Sequence, residues 1–550
     1  MKRRGFIKKL SIAGSAPFLL NGIPLSVLGN NGHLQRLAAT GADNDNVLVL
    51  IQLHGGNDGL NTIIPIDQYG QYINLRPNIA ISSTGNRKYI DLDNTLSVED
   101  QVGLHPDMIG VKELYDQGKA AIVQGVAYEN INQSHFRSRD IWWMGGGFDD
   151  EFSSGWAGRY LDHCFPGYPD NYPNTEMPDP LGLEIGNNVS LLYHRETGIP
   201  AAIGTRSPEQ FFDLINSVGG LPPESVANTH YGEELQWIMD IEEKSNQYAD
   251  RLKEVFDNGT NSPNVTYPEK YPFDAGDRFA SNGLAQQLRL IARLLSGGSK
   301  TKIFLARIGG FDTHANQVED DNPSMGAHAA LLYHLSSAVK AFQDDLQNLG
   351  LEDRVITATF SEFGRRAASN GSYGTDHGTS APMFVFGKNV HPGVYGTNPD
   401  LSNLRGGNLT HQHDYRQVFT SILQDFMGAS DQALVDTRFD QFVNTKVDLF
   451  GTLVTGNKEN FIQNRFRLNS AFPNPAKSHT TLSYYINNSA HVSLKIFDTA
   501  GRLVTEVVNE KQAAGEHQVV VDVSRFKPGA YVYNIEAGVL KATKKLIVQN

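Results

Sequence analysis

The chain has 550 residues, 40% of them hydrophobic and 19% charged, and a formal charge of −13. This length exceeds what one small core organises, so two or more domains are expected. The acidic balance argues against a nucleic-acid partner, which wants a basic face, and the single cysteine, Cys164, excludes an internal disulfide, a cysteine-based zinc cluster and a CxxC redox pair.

Residues 1–29 join a basic start, MKRRGFIKK, to a moderately apolar run broken by Gly, Ser and Pro. That pattern reads as an export signal rather than a lasting membrane span. Arg3-Arg4 followed by Gly5-Phe6-Ile7-Lys8 resembles a twin-arginine signal; a general secretory signal whose arginines supply only charge is the alternative. After the polar spacer GADNDN, the run VLVLIQL suits a strand buried on both faces, and similar runs recur at 120–126, 302–308, 354–360 and 383–387. Leu284, Leu288, Ile291 and Leu295 share one helical face, as do Leu331, Leu335, Ala338, Phe342 and Leu346 before Gly350. Strands alternating with helices predict an α/β domain over 46–455 with a mostly parallel sheet covered by helices. The segment 140–280, rich in Pro, Gly, Asn and Tyr, is expected to be an insertion of loops and helices capping the sheet. Over 466–550, short runs such as HVSLKIFD and HQVVVDV alternate apolar and polar residues between turns, predicting a small all-β sandwich.

In open α/β sheets, functional groups collect beyond the carboxyl ends of the strands. The first strand is followed by Asn57, Asp58 and Asn61, and the second by Ser134, His135, Arg137 and Arg139. The third precedes Asp312 and His314, the fourth Ser361, Glu362 and Arg365, while Asp376, His377 and Thr379 stand before the run at Met383. Carboxylates and imidazoles suit Zn²⁺ or Mn²⁺, and oxygen-rich sites also admit Mg²⁺ or Ca²⁺. The pattern therefore points to metal-assisted attack on an anionic ester, with Ser134 as nucleophile, His135 beside it and the neighbouring arginines on the anion.

The ordered motifs LHGGNDGLN, SHFRSRDIWWMG, GGFDTH, SEFGRRAASNGSYGTDHG and FVFG resemble the DUF1501 family over about 46–430. The resemblance implies an alkaline-phosphatase-like fold and, residue by residue, places Asp58, Asp312, His314, Glu362 and His377 as metal ligands. Ser134, His135 and Arg137 occupy the catalytic motif, and Asn57, Asn61, Arg365 and Asp376 stand as orienting partners. SEFG supplies one carboxylate and no imidazole where that superfamily often has two ligands, and the Cys-x-Pro-x-Arg pattern of sulfatases is absent. FPNPA at 472–476, KIFDTAGRLV at 495–504, PGAYVYNI at 528–535 and the ending KKLIVQN resemble the C-terminal sorting domain of the type IX secretion system of Bacteroidetes. That resemblance implies passage through the export and type IX machinery to the outer-membrane surface or beyond. Two functions compete: a phosphate or sulfate ester hydrolase acting on a small or polymeric substrate, and a non-catalytic surface protein that binds glycans or assists neighbouring hydrolases.

Overall fold

The apolar run Val47–His54 forms strand β1, and successive residues of it enter different cores. Leu48 and Leu50 join one apolar cluster, while Val47, Val49, Ile51 and Leu53 join another. A strand covered on both faces needs no polar alternation, which is why the run is continuous. The computed structural model describes residues 44–196, 198–210, 213, 246–450, 466–486, 489–499, 501–538 and 540–549, with two-residue strands at Leu19–Leu20 and Ile23–Pro24. Arg3-Arg4 and the domain boundary near 455 lie outside the described residues.

Further along the chain come β2 (Ala120–Ala127), β3 (Gly182–Ile185), β4 (Ala202–Thr205), β5 (Ile303–Gly309), β6 (Val355–Phe360), β7 (Ala381–Phe386), β8 (Gly393–Tyr395) and β9 (His413–Asp414). With β1 they make one sheet in the order β8-β2-β7-β6-β1-β5-β3-β4, with β9 also on β2. Every neighbouring pair is parallel except those of β7, which runs antiparallel to both β6 and β2. The sheet is thus mostly parallel, as its alternating runs and helices predict. The reversal of β7 has a functional effect, because residues that precede it arrive at the edge where the other strands end.

The helices that flank this sheet include α1 (Ile109–Asp116), α2 (His135–Met144), α3 (Gly283–Ser296) and α4 (Ala327–Asn348). The Leu284, Leu288, Ile291, Leu295 stripe of α3 and the Leu331, Leu335, Ala338, Phe342, Leu346 stripe of α4 pack on one face of the sheet, and Ile141 and Trp142 of α2 pack on the other. Asn282 caps α3 by accepting from the Ala285 N–H at 3.1 Å.

The segment 140–280 departs from its expected character. It supplies β3 and β4, which extend the central sheet at its edge, as well as loops. Both strands have only four residues, too few for a periodicity to stand out from a Pro- and Gly-rich background.

Near the C-terminus, β10 (Phe466–Leu468), β11 (His479–Ile486), β12 (Ala490–Asp498), β13 (Leu503–Gln512), β14 (Gly515–Asp522), β15 (Gly529–Ala537) and β16 (Leu540–Val548) form two antiparallel sheets, β10-β11-β14 and β13-β12-β15-β16. Val492, Leu494 and Ile496 are buried with Tyr484, Tyr533 and Leu546 in a cluster drawn wholly from residues 466–548.

Candidate metal centre

The turn after β1 sets the geometry of the site. Gly55 sits at φ +123°, and a Cβ there would stand 2.3 Å from the Asp312 backbone nitrogen. Only glycine lets the loop beyond β5 cross this closely, so the Gly-rich motif is a packing requirement. The Gly55 N–H donates to Glu362 Oε1 at 2.8 Å, linking the ends of β1 and β6. Arg365, 1% exposed, then joins three loops: it donates to the carbonyls of Gly55, Gly56, Phe311 and Thr375 and, at 2.7 Å, to Asp312 Oδ1. Across the reversed approach to β7, the Arg366 N–H donates to the Asp376 carbonyl at 3.0 Å and the Gly378 N–H to the Gly364 carbonyl at 2.9 Å. These bonds fix His377 opposite Arg365.

Three imidazoles converge on one carboxylate oxygen. The Nε2 atoms of His135, His314 and His377 lie 3.4, 3.3 and 3.5 Å from Asp312 Oδ1. The opposite nitrogen of each ring faces an acceptor. His135 Nδ1 is 2.9 Å from Glu362 Oε1, His314 Nδ1 is 3.3 Å from Asp376 Oδ1, and His377 Nδ1 is 2.8 Å from the Gln133 carbonyl. A carbonyl or carboxylate cannot donate, so each ring places a proton on Nδ1, and in its neutral form turns an Nε2 lone pair inward. With the rings neutral, three lone pairs and a carboxylate face one another, and positive charge among them is favourable. Arg365 donates to that same Asp312 Oδ1 at 2.7 Å and balances part of its charge. A divalent ion set among His135, Asp312 and His377 would meet both buried Nε2 atoms at once. The buried Nε2 atoms of His135 and His377 make no hydrogen bond among the described residues.

His135, Asp312 and His377 offer ligand atoms that all lie within 4.8 Å of one another. Imidazole and carboxylate donors with a tetrahedral preference suit Zn²⁺, and Mn²⁺ fits the same set. Each ring also has the acceptor on its far nitrogen that orients a metal-binding histidine. The His135 and His377 side chains are 22% and 25% exposed and those of His314 and Asp312 46% and 47%, so one side of the cluster opens to solvent. The Glu362 hydrogen bond holds His135 above the usual imidazole range against the effect of burial. Burial, and then the charges of Arg365 and His135, push His377 down. Burial pushes the Asp312 carboxyl up, but the bonded Arg365 guanidinium and the facing imidazoles hold it below its ordinary value.

The other expected site residues are placed differently. Glu362 is the acceptor that orients His135, rather than a member of the inward-facing set. His135, expected beside a nucleophile, is the third inward imidazole. Asp58 does not reach the cluster: it is 1% exposed, with Oδ2 2.6 Å from both Arg76 Nη1 and Gln317 Nε2. A buried carboxylate needs its own counter-ion, and Arg76 provides it. Asn61 joins the same network at Arg76 and Tyr72, and Asn57 accepts from Thr62 at 3.1 Å and faces His328. Arg137 donates to the carbonyls of Phe148 and Asp150, away from the cluster. Ser134 is exposed at the start of α2, and its hydroxyl makes no hydrogen bond among the described residues. Sequence reasoning missed Arg76 and the Gln133 carbonyl; neither LRPN nor NQSH carries a pattern that announces it.

Below the centre, burial pushes the His328 imidazole down to about 4, with Arg76 and Arg365 adding to the effect and Asp58 opposing it. A folded value below the unfolded 6.5 means that protons favour the unfolded chain. The stability held by neutral His328 is therefore complete above pH ~6.5 and is lost as pH falls toward 4. Denaturant unfolding at pH 7 and pH 5 should show a loss of about 2 kcal/mol that is absent from the His328→Gln variant. An unchanged pH slope in that variant would reject the assignment.

Comparison with known proteins follows the same division of the chain. Residues 232–440 match the family described as a protein of unknown function, DUF1501, and residues 470–549 match the secretion system C-terminal sorting domain. The first match takes in GGFDTH and SEFGRR…TDHG and leaves out LHGGNDGLN and SHFRSRD, so it is narrower than the resemblance over 46–430. No curated protein matches. Among solved structures, the chain is similar to a protein in the alkaline phosphatase superfamily from Vibrio parahaemolyticus (9% identity, covering 92% of this chain and 82% of that one, TM-score 0.32). It is similar also to a sulfatase from Pseudoalteromonas (9%, 87% and 84%, TM-score 0.29) and to alkaline phosphatase from the Antarctic bacterium TAB5 (10%, 64% and 94%, TM-score 0.25). Likenesses this distant carry no argument about the reaction. The sorting domain marks the protein for export to the cell surface or extracellular space. No helix among the described residues is long and apolar enough to cross a membrane.

Proposed function

We propose that this protein is an exported, metal-dependent hydrolase of phosphate or sulfate esters. The observation that carries the reading is the convergence of three Nε2 atoms on Asp312 Oδ1, an arrangement that suits a cation. His135, His314, His377 and Asp312 would hold a divalent ion, Zn²⁺ or Mn²⁺ by donor type. When bound, such an ion supplies Lewis acidity that lowers the pKa of a coordinated hydroxyl or water and offsets charge on an anionic ester. Glu362, Asp376 and the Gln133 carbonyl keep the three rings in one tautomer and orientation. Arg365 neutralises part of the Asp312 charge and fixes its loop. Ser134, exposed immediately before His135, is the hydroxyl best placed to meet a substrate entering from solvent. The resemblance of the ordered motifs to an alkaline-phosphatase-like family supports phosphate or sulfate as the esterified group. The C-terminal sheets serve passage through the type IX machinery and not turnover, since their core shares no residue with the other two.

The test uses metal-stripped full-length protein and a chain ending at residue 450. Both should take up roughly one equivalent of Zn²⁺ or Mn²⁺, melt cooperatively, and hydrolyse at least one of an aryl phosphate, an aryl phosphodiester or an aryl sulfate only with metal. Folded protein that rebinds no divalent ion would overturn the hydrolase reading and leave the non-catalytic surface protein. Loss of cooperative melting in the shorter chain alone would overturn the division of roles.

A further inference from the structure

A cavity of about 640 Å³ lies along the same sheet edge as the metal centre but not at it. Ile185 ends β3 and Gly186 to Asn188 follow it, Arg206 to Pro208 follow β4, and Arg307 stands near the end of β5, so the cavity occupies the carboxyl ends of the next strands in the sheet. The first turns of α3, with Gln286 and Gln287, close another side. Among the described residues no acidic side chain lines it; two guanidiniums and four amides do. Arg307 is braced at 2.5 Å by Glu184, itself 1% exposed, while Arg206 makes no ion pair or hydrogen bond with a described residue.

A row of stacked groups joins the two places. Phe136 follows His135 on α2 and is 73% exposed. Arg139 lies 5.4 Å from the Phe136 ring and 4.6 Å from the Trp143 ring, and Arg307 lies 5.2 Å from that same indole. Positions 136, 139 and 143 share one helical face, so the row runs along α2 from the metal centre toward the cavity. The strand β5, which leads to Asp312, and the strands β3 and β4 are about 4.8 Å apart at each step. A ligand that fills both places must extend about 10 Å beyond its reacting group.

We propose that the Phe136–Arg139–Trp143–Arg307 row and the Arg206 cavity bind an anionic oligosaccharide. Guanidiniums meet its charged substituents, the Asn187, Asn188, Gln286 and Gln287 amides meet its hydroxyls, and the exposed Phe136 ring meets the apolar face of a sugar ring. The identity of this glycan as the substrate rests on the ester-hydrolase reading; the binding itself does not.

The experiment therefore measures binding to chelator-treated full-length protein, with dextran sulfate and neutral dextran of matched length as probes. Dextran sulfate should bind at least about tenfold more tightly than dextran, and its affinity should fall with salt. Arg206→Gln should weaken dextran sulfate binding about 5–10-fold, roughly the loss of one charged contact, and leave Zn²⁺ uptake unchanged. Phe136→Ala, also at an exposed position, should weaken it without changing the salt dependence. Equal binding of dextran and dextran sulfate, or wild-type affinity in both variants, would overturn the proposal. Dextran sulfate binding by a protein that takes up no metal would uphold this surface while the hydrolase reading fails.

Discussion

Replacing Arg76 by Met will cost the folded protein about 3–5 kcal/mol, the usual price of leaving one member of a buried ion pair alone. Both side chains are fully buried and their charged atoms are 2.6 Å apart. Burial by itself pushes the Asp58 carboxyl up, and Arg76 is the principal group that brings it below the ordinary range. Without the guanidinium, the carboxylate keeps only Gln317 and must either stay charged in a dry site or take up a proton. Arg76 also donates to the carbonyls of Ala367 at 2.8 Å and Arg366 at 2.9 Å, so its loss frees the chain that leads to Asp376 and His377. The double variant Arg76→Met with Asp58→Asn should recover part of the loss, because no charge is then stranded. Denaturant unfolding measures both, and a single-variant cost under about 1 kcal/mol would show that the pair is not an anchor.

Replacing His377 by Ala should lower Zn²⁺ affinity by more than about 100-fold, because losing even an orienting partner typically costs 10–100-fold. Glu362→Gln should fall within that smaller range, since it weakens the hold on His135 and removes no inward nitrogen. The fold should survive both changes. Met383, Phe384, Val385 and Phe386 are buried to 1% exposure or less, and that burial holds β7 in place. Competition against a chelator of known affinity gives the two values. Affinity unchanged by His377→Ala would remove this residue from the site.

Much of the architecture is legible in the chain because apolar order alone specifies it. The run at 47–53 has no polar interruption beyond Gln52, and a strand with helices on both faces explains that. The α3 and α4 stripes follow from spacing, and the Val492, Leu494, Ile496 alternation from a sheet with one covered face. Strand direction is another matter. Nothing within Ala381–Phe386 tells that it runs backwards, yet its reversal explains why Asp376 and His377 precede their strand when the other groups follow theirs. The edge strands Gly182–Ile185 and Ala202–Thr205 are legible only through their partners. At the site, the motifs identify which segments meet but not which atoms face inward. His135 turns Nε2 inward because its Nδ1–H donates to Glu362, a relation across 227 residues that no local spacing encodes. Asp58 looks the same in sequence as a metal ligand would; only the arrival of Arg76 gives it another task.

Arg365 has a consequence for the timing of events in the life of the protein. Its guanidinium is bound to four backbone carbonyls and one carboxylate drawn from the turns that carry the site. Those bonds all join groups of the chain itself, so the conformational entropy of bringing these turns together is lost during folding. On the proposed metal-dependent reading, ion uptake would then ask for dehydration of the ion and little movement of the chain. Folding and loading would be separable steps, and an exported protein built this way could acquire its ion in whichever compartment supplies it.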